Sequence, residues 1–344
     1  MSIMTDSHRY LMTCRSGKSA LNALSKAPAD VSEILSREGF EIIVNDYLLR
    51  NRILRIPLVL ITPLIQAARI KRGSLLLYQH PYDTEHKAIR TMNGILRSLL
   101  RGKDVKTSVL VHDVDSVRFH ETSLQEEVAI LNSFDSVIVH SSNMKSLLME
   151  NGLTSPCRIL GLFDYLYSEG NTQPRSRDGG VCYAGNLEKS TFLKDIHKIG
   201  IPCCLYGACP PSIPAAENVR YEGRFAPENL SSLKGGWGLV WDGESIDGPE
   251  GRLGEYLRYN SPHKASMYVC AGLPLIVPSW SAIADTVRKN NLGIVVRSLT
   301  DIKSAVDAVS QEAYDAMVAS LSEYAGVLSD GGHIKAALMA PSEQ

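Results

Sequence analysis

The residue types best suited to binding an anion lie in one short segment of the last third of the chain, YNSPHK at residues 259–264. Ser261 is a favourable helix N-cap, Pro262 a favourable first helical residue, and Gly272 is suited to ending a helix. The first turn of such a helix presents backbone N–H groups and the positive end of the helix dipole, and here it also carries Lys264. The segment therefore predicts a site for a phosphate or diphosphate. The alternative is an ordinary surface helix with a solvated lysine.

A second group of polar residues follows a strand-like run that begins at residue 181. Gly185 allows the backbone to approach a ligand closely, and Asn186 and Lys189 add polar side chains. Tyr206 ends the next strand-like run, where its ring could flank a planar base. Packing within the core is the alternative for Tyr206.

A histidine and two carboxylates follow the apolar run at residues 107–111. His112 or Asp113 could act as a general base toward a sugar hydroxyl. Two other interpretations stay open. Asp113 and Asp115 could form an Asp-x-Asp clamp that holds magnesium or manganese on a nucleotide sugar, or one of them could cap the following helix.

Two loops come close to known ligand-binding motifs without matching them. RSGKS at residues 15–19 lacks the first glycine of a P-loop, whose place is taken by Met12, so a P-loop kinase or ATPase is not expected. A loop at residues 13–19 that closes over a substrate is still compatible with the sequence. DGESID at residues 242–247 lacks the spacing of an EF-hand loop and is better suited to binding sugar hydroxyls.

The elements that must position these residues are short, nearly all-apolar runs that alternate with helical patterns. Such runs are typical of parallel strands buried on both faces, and the alternation predicts two α/β domains. Ligands bind outside the carboxyl ends of such strands, so an interdomain cleft is expected. The predicted boundaries are residues 1–165 for the N-terminal domain, 166–180 for a linker, 181–310 for the C-terminal domain and 311–344 for a helical tail.

Composition narrows the class and the compartment. The 344 residues include 36 Lys plus Arg against 37 Asp plus Glu, a net charge of −1 that argues against wholesale binding of nucleic acid or of a membrane surface, but not against a local basic site. No nucleic-acid partner is expected. The seven cysteines are odd in number and have no CxxC spacing. They favour free thiols in a reducing cytoplasm over a disulfide scaffold or a structural zinc site. The N-terminus shows no secretory signal pattern, so a cytoplasmic protein is expected.

The longest uncharged apolar stretch covers residues 56–68 and is flanked by arginines, among them Arg52, Arg55 and Arg69. It is too short to span a bilayer, which needs about 20 residues. A buried helix is one interpretation. A basic-flanked patch that rests on a membrane or on a partner is the other, which leaves a peripheral contact with the inner face of the membrane open.

Several segments, taken together and in order, resemble one family. GLVWDGESIDG, GEYLRYNSPHKASMYVCAGLPLIV and SAIADTVRKNNLGIVV are similar to the carboxyl half of certain bacterial glycosyltransferases. VHDVDSVRF, LNSFDSVIVHSSNMKSLL, LGLFDYL and YAGNLEKSTFL resemble the same family. Its members are glucosyltransferases that extend O-glycans on serine-rich adhesins, and related β-1,6-galactofuranosyltransferases of surface polysaccharide synthesis. The resemblance covers residues 75–296, and the first 70 residues match more loosely.

The resemblance implies an α/β GT-B fold, in which two Rossmann-like domains face each other across the active site. It implies a UDP-sugar donor, a glycan or glycoprotein acceptor, a homo-oligomer, and no metal, because cations and helix dipoles neutralise the leaving diphosphate. Lys264 would face that diphosphate. The catalytic candidates are Asp113, His112 and Lys264. The expected donor-binding residues are Thr13, Ser16, Gly185, Asn186, Lys189, Tyr206, Asn260, Ser261, His263 and Lys264.

Some choices stay open on the sequence alone. Glucose and galactofuranose are both compatible with it, and so are inverting and retaining chemistry. A non-catalytic nucleotide-sugar-binding subunit of a transferase complex is the competing function. An NAD-dependent epimerase is disfavoured, because no GxGxxG follows the first strand.

Overall fold

The computed structural model describes residues 8–14, 23–45, 52–81, 87–119, 122–168, 174–207 and 216–340. The chain divides into two compact units. The first takes its described residues from 1–139, 145–159 and 339–344, and the second from 140–144 and 160–338. The apolar runs noted above become the strands of two separate sheets, one in each unit.

The first unit is built on a six-stranded parallel sheet in the order β2-β1-β3-β4-β5-β6. Its strands are β1 (Arg9–Cys14), β2 (Glu41–Asn45), β3 (Leu75–His80), β4 (Lys106–Val111), β5 (Ser136–Val139) and β6 (Cys157–Ile159). The helices along this part of the chain are α1 (Ala23–Arg37), α2 (Arg52–Arg69), α3 (Lys87–Leu100), α4 (Asp115–Arg118), α5 (Leu124–Leu131) and α6 (Ser142–Glu150). The alternation of strands and helices along the chain provides the crossover connections that parallel strand pairing requires.

The second unit repeats this architecture with a six-stranded parallel sheet in the order β12-β11-β10-β7-β8-β9. Its strands are β7 (Val181–Ala184), β8 (Cys203–Tyr206), β9 (Val219–Gly223), β10 (Trp237–Leu239), β11 (Leu275–Pro278) and β12 (Gly293–Val296). Its helices are α7 (Arg252–Tyr256), α8 (His263–Cys270), α9 (Ala284–Lys289), α10 (Ile302–Asp307), α11 (Gln311–Ser329) and α12 (Gly332–Met339). A 3-10 helix, Thr191–Ile199, connects β7 to β8.

Burial of the strands on both faces explains why their sequences lack polar alternation. In β7, Val181 and Tyr183 belong to one apolar cluster and Cys182 and Ala184 to another, so successive side chains fill opposite faces of the sheet. Helices cover both faces, as is usual for parallel sheets. Two such units confirm the predicted α/β class with two Rossmann-like domains.

The described parts of the predicted linker, residues 166–168 and 174–180, belong to the second unit. Arg175 donates hydrogen bonds from Nε and Nη2 to the carbonyl oxygen of Ala271, at 3.1 and 3.0 Å. The indole nitrogen of Trp237 donates to the carbonyl oxygen of Arg177 at 2.9 Å. These bonds fasten the chain entering β7 to the body of the second unit.

Two further observations concern the cysteine thiols and the apolarity of the helices. The cysteines whose side chains the structure describes are not joined in disulfide bonds: Cys157, Cys182, Cys203, Cys204 and Cys270. Burial raises the pKa of the Cys157 thiol to about 11, so this thiol is inert at neutral pH. Within the described ranges, no helix combines the length and the apolarity needed to cross a membrane.

Candidate active site

The carboxyl ends of β7 and β8 lie against each other at one edge of the second sheet. The Gly185 amide donates to the carbonyl oxygen of Tyr206 at 3.0 Å. Gly207 has φ +141°, and a Cβ atom there would lie 2.0 Å from the Gly185 carbonyl oxygen. Only glycine fits at position 207, because any side chain would collide with the neighbouring backbone. This contact fixes the start of the turn that carries Asn186 and Lys189.

Helix α8 is placed on the same sheet by one tyrosine. The Tyr268 hydroxyl accepts a hydrogen bond from the Ala184 amide, at the end of β7, at 2.7 Å. Its ring packs on Gly238 of β10, where a Cβ would lie 2.4 Å from a ring carbon. The missing side chain at Gly238 therefore lets α8 approach the sheet closely, and the first turn of α8 reaches the carboxyl edge.

Lys264 in that first turn is held in a specific position. Its ammonium nitrogen donates to the Trp241 carbonyl oxygen at 2.9 Å and to the Asp242 carboxylate, 3.0 Å from Oδ1 and 2.9 Å from Oδ2. It also lies 4.7 Å from the centroid of the Tyr183 ring. The Lys264 side chain is 14% exposed, so the interpretation as a solvated surface lysine is wrong. The cation is instead fixed at the carboxyl edge of the sheet.

A buried hydroxyl network supports this cation. Tyr183 and Ser190 share a hydrogen bond of 2.6 Å, and the Tyr183 hydroxyl lies 3.3 Å from Asp242 Oδ1. The Ser190 hydroxyl donates to the Asn186 carbonyl oxygen at 2.9 Å. Burial, together with the charge of Asp242, raises the pKa of Tyr183 well above its ordinary value, so Tyr183 stays protonated. The turn after β7 and the pair formed by Asp242 and Lys264 are thus parts of one network.

The predicted start of α8 needs a correction. The helix begins at His263, with Pro262 as N-cap, and no side chain makes a capping bond there. Ser261 is 2% exposed and turned into the protein, because its backbone N–H donates to His140 Nδ1 at 3.1 Å. Because the helix starts at His263 with Pro262 as its N-cap, Ser261 lies one residue before the cap position that it was expected to fill. Within the described residues, neither Ser261 Oγ nor Asn260 Oδ1 has a hydrogen-bond partner.

The loop before α8 is held by a segment that the sequence analysis linked to the family resemblance but did not include among the candidate site residues. Ser141 Oγ donates to the Tyr259 carbonyl oxygen at 2.6 Å, and Asn143 Nδ2 donates to that of Arg258 at 2.9 Å. His140, beside them, accepts from the Ser261 amide. These residues follow β5 in sequence and belong to the second unit. Three hydrogen bonds from one segment therefore fix the backbone just before His263 and Lys264.

The other predicted donor-binding residues divide into exposed turn residues and core residues. Asn186 and Lys189 are exposed, and Asn186 Oδ1 accepts the Lys189 amide at 3.3 Å within the turn. The His263 ring packs against Tyr165, with ring centroids 4.8 Å apart. Tyr206 is 2% exposed, and its hydroxyl donates to the Ser232 carbonyl oxygen at 2.9 Å. The structure thus gives Tyr206 the core packing that was its alternative.

In the first unit, a row of hydrogen-bonded polar side chains crosses the carboxyl edge of the sheet. Gln79 Nε2 lies 3.3 Å from Thr13 Oγ1 and donates to it, while Gln79 Oε1 lies 2.9 Å from His112 Nε2. With the amide oriented in this way, the proton of a neutral His112 is on Nε2 and the basic nitrogen is Nδ1. Thr13, Gln79 and His112 are thus brought together as one group. Ser16 lies outside the described residues.

Asp113 and Asp115 differ in their surroundings. The Asp113 carboxylate is bound by the Arg118 guanidinium. Asp115 is the first residue of α4, and Val114 occupies the N-cap position without a side-chain capping bond. The prediction that one of these aspartates caps the helix is therefore wrong. The carboxylate of Glu127, from α5, takes that role instead, because it accepts the Asp115 amide at 3.0 Å.

Glu127 and His80 form a fully buried pair, 2.6 Å apart, beneath this edge. The second carboxylate oxygen of Glu127 accepts the Ser116 amide at 2.9 Å. Burial pushes the pKa of Glu127 upward, but the hydrogen bond and charge of His80 and the bonds from Ser116 outweigh it, so the pKa lies below its usual value. The charged carboxylate therefore fixes α4, which carries Arg118. Within the described part of the chain, no group of three or more His, Cys, Asp or Glu side chains could hold a metal ion.

Two α/β units, each built on a six-stranded parallel sheet, are the architecture of the GT-B glycosyltransferase fold. Solved structures show the same fold. Sucrose-phosphate synthase from Thermosynechococcus elongatus matches with a TM-score of 0.52 at 13% identity, over 96% of this chain and 95% of that one. WaaG, a glycosyltransferase involved in lipopolysaccharide biosynthesis, matches with a TM-score of 0.51 at 12% identity, over 95% and 98% of the two chains.

The family follows from the sequence comparisons. The model of the glucosyltransferase 3-like N-terminal domain matches residues 9–162, and that of the corresponding C-terminal domain matches residues 181–340. Glucosyltransferase 3 of Streptococcus gordonii is 31% identical over 277 residues, 79% of this chain and 80% of that protein. The β-1,6-galactofuranosyltransferase WbbI of Escherichia coli K12 is 31% identical over 212 residues, 60% of this chain and 62% of WbbI. The chain belongs to the glucosyltransferase 3-like family, which confirms the predicted resemblance.

Proposed function

We propose that this protein transfers a hexose, glucose or galactofuranose, from a UDP-sugar to a hydroxyl of a glycan acceptor in surface polysaccharide or glycoprotein synthesis. The observation that carries the proposal is the fixed, half-buried Lys264 at the start of α8, in a chain of the glucosyltransferase 3-like family. A cation and a helix start at the carboxyl edge of a Rossmann-like sheet suit a diphosphate.

In the proposed reaction, an acceptor oxygen forms a bond to the anomeric carbon while the bond from that carbon to the diphosphate breaks. The bonding electrons leave with UDP, so negative charge grows on the diphosphate. Lys264 and the first-turn amides of α8 stabilise that charge, and Asp242 keeps the ammonium group in place. Asn186 and Lys189, on the exposed turn after β7, are the proposed polar contacts to the remainder of the donor.

The acceptor proton has to reach a base if the reaction inverts. Of the two candidates, His112 is favoured over Asp113. His112 is hydrogen-bonded to the neutral amide of Gln79, whereas the Asp113 carboxylate is paired with the Arg118 guanidinium, and taking up a proton would break that ion pair. If the reaction retains configuration, these residues orient the acceptor and no such base is needed.

We further propose that turnover needs no metal ion, since Lys264 and the helix start supply the positive charge at the diphosphate. The Asp-x-Asp clamp is disfavoured because Arg118 already neutralises Asp113. A homo-oligomer is also proposed, and light scattering of the purified protein tests it.

The test is UDP release from a panel of UDP-sugars, with and without EDTA, in the presence of cell-surface glycan acceptors. The proposal is supported if the protein turns over one of the UDP-sugars, if this turnover persists in EDTA, and if the Lys264→Met variant loses it. Turnover abolished by EDTA and restored by magnesium or manganese contradicts metal independence. Tight UDP binding without turnover on any acceptor in the panel favours a non-catalytic donor-binding subunit instead.

A further inference from the structure

The structure describes the side chains of helix α2 over residues 57–69, and several large apolar ones among them face outward. Four of them are about half exposed: Leu60 at 56%, Ile61 at 49%, Leu64 at 54% and Ile65 at 57%. Their spacing places them on one side of the helix, and we call them the α2 face. Single exposed aliphatic residues are ordinary on protein surfaces, but a contiguous group marks a site of interaction.

Over residues 57–69, the fully buried positions of α2 are Pro63, Gln66 and Ala67, and none of them is a large aliphatic residue. Gln66 is 5% exposed and lies 3.9 Å from the Met12 sulfur, beside the small residue Ala67, which is also buried. A helix that served only the core of its own domain would have the opposite arrangement, with leucine and isoleucine inside. Packing among the described residues of the first unit therefore does not account for the α2 face.

Basic residues stand at both ends of this apolar surface. Arg52 and Arg55 lie in the first turn of α2, and the helix contains no acidic residue. Lys71 and Arg72 follow its last turn and are exposed. Lys103 adds a further cation there, bonded at 3.0 Å to the Ile70 carbonyl oxygen. The surface thus combines an apolar strip with positive charge at each end.

We propose that the α2 face docks the first unit on an anionic lipid surface. The four aliphatic side chains would enter the boundary between headgroups and acyl chains, while the exposed Lys71 and Arg72 bind lipid phosphates. Stable attachment of a peripheral protein takes two such signals, an apolar and a basic one, and both are present here. The helix would lie in the plane of the interface rather than cross it.

The charges favour this occupant over a second copy of the chain. If two α2 helices paired through their apolar faces in antiparallel fashion, Arg52 and Arg55 of one copy would approach Lys71 and Arg72 of the other. A parallel arrangement would bring each basic end against its own equivalent. Like charges would face each other in both cases, whereas an anionic membrane neutralises them all.

Flotation of the full-length protein with lipid vesicles tests the proposal without any sugar donor, so the result is independent of the proposed sugar transfer. Vesicles of phosphatidylcholine alone are compared with vesicles that also contain phosphatidylglycerol. The first variant replaces the whole α2 face by glutamine, and the second is Lys71→Gln/Arg72→Gln. The matched control, Met149→Gln/Val327→Gln, alters two aliphatic side chains that are each 46% exposed elsewhere on the surface.

The wild-type and control proteins should float with the anionic vesicles, and the α2-face variant should bind at least roughly tenfold more weakly. Binding should weaken in the basic variant and at high salt. Equal flotation of the wild-type protein and the α2-face variant, or no flotation of the wild-type protein, overturns the proposal. If the α2-face variant changes its oligomeric state in light scattering but floats like the wild-type protein, the α2 face binds a second copy of the chain. That result also overturns the proposal.

Discussion

Replacing Lys264 by methionine removes the cation at the start of α8 and keeps much of the side-chain length. In the structure, this ammonium group contacts the Trp241 carbonyl oxygen and both carboxylate oxygens of Asp242. Because negative charge on a departing diphosphate is largest in the transition state, the lost cation costs more there than in the ground state. We therefore expect a large fall in kcat/KM and a smaller loss of UDP affinity.

The expected fall in kcat/KM follows from the hydrogen bonds that the Lys264 ammonium group can redirect toward the diphosphate. It has three protons, and in the structure Trp241 and Asp242 accept them. A hydrogen bond to a charged group contributes about 1.5–3 kcal/mol, and removing one donor from a developing oxyanion costs about 2.7–4 kcal/mol. With about 3 kcal/mol lost from the transition state, kcat/KM falls about 160-fold. Asp242 partly offsets the attraction for UDP itself, so the fall in UDP affinity should be no more than about tenfold.

The assay is UDP release under kcat/KM conditions, with UDP binding measured by calorimetry. Lys303→Met is the matched control, because Lys303 also pairs with an aspartate, Asp307, at 2.8 Å but on the exposed surface of α10. The double variant Lys264→Met/Asp242→Asn also removes the Asp242 carboxylate, which the single variant leaves without its counterion. If Lys264 stabilises the diphosphate, the kcat/KM of the double variant stays low even if its melting temperature returns to that of the wild-type protein. Restored turnover in the double variant would refute the assignment and leave Lys264 a purely structural role.

Two further predictions concern the first unit. Glu127→Gln should lower the free energy of unfolding at neutral pH by about 3–5 kcal/mol, because it breaks the buried pair with His80. The folded-state pKa of Glu127 is lowered, so the carboxylate stabilises the fold at pH values above its unfolded pKa. This stabilisation is lost as the pH falls through the folded-state pKa. The free energies of unfolding of the wild type and the variant, measured with denaturant, should therefore converge in acid. Gln79→Glu places a carboxylate 2.9 Å from His112 Nε2 and should shift the acidic limb of the kcat/KM profile upward by about one pH unit or more. An unmoved limb would remove His112 as the base.

The fold could be predicted because its signal is local. Runs such as VCYA in β7 and LIVP in β11 are buried at every position, and burial on both faces is what a parallel strand between helices requires. The position of Lys264 at a helix start could be predicted for the same reason, since Pro262 and the residues around it favour that boundary. Each of these features depends on only a few neighbouring residues.

The contacts of the site could not be predicted, because they depend on strand order. Asp242 meets Tyr183 only because β10 pairs with β7, two strands that are far apart in sequence. The expected Ser261 cap was wrong for a similar reason, since His140, 121 residues away, binds the Ser261 amide and turns the residue inward. One available signal was missed: a lysine placed near the core needs a counterion, and the acidic loop that begins at Asp242 follows a buried strand.

The start of α8 is fixed from two independent directions, and this bears on how the proposed chemistry is organised. His140 binds the backbone at Ser261, and Asp242 binds the side chain of Lys264 three residues later. Either contact alone would leave the cation free to shift with the loop or to turn about its own side chain. A displacement of about 1 Å can cost a reaction about 100-fold. Because both the backbone and the side chain are held, the protein can place the positive charge before a diphosphate arrives, and little reorganisation remains for the step in which the sugar leaves.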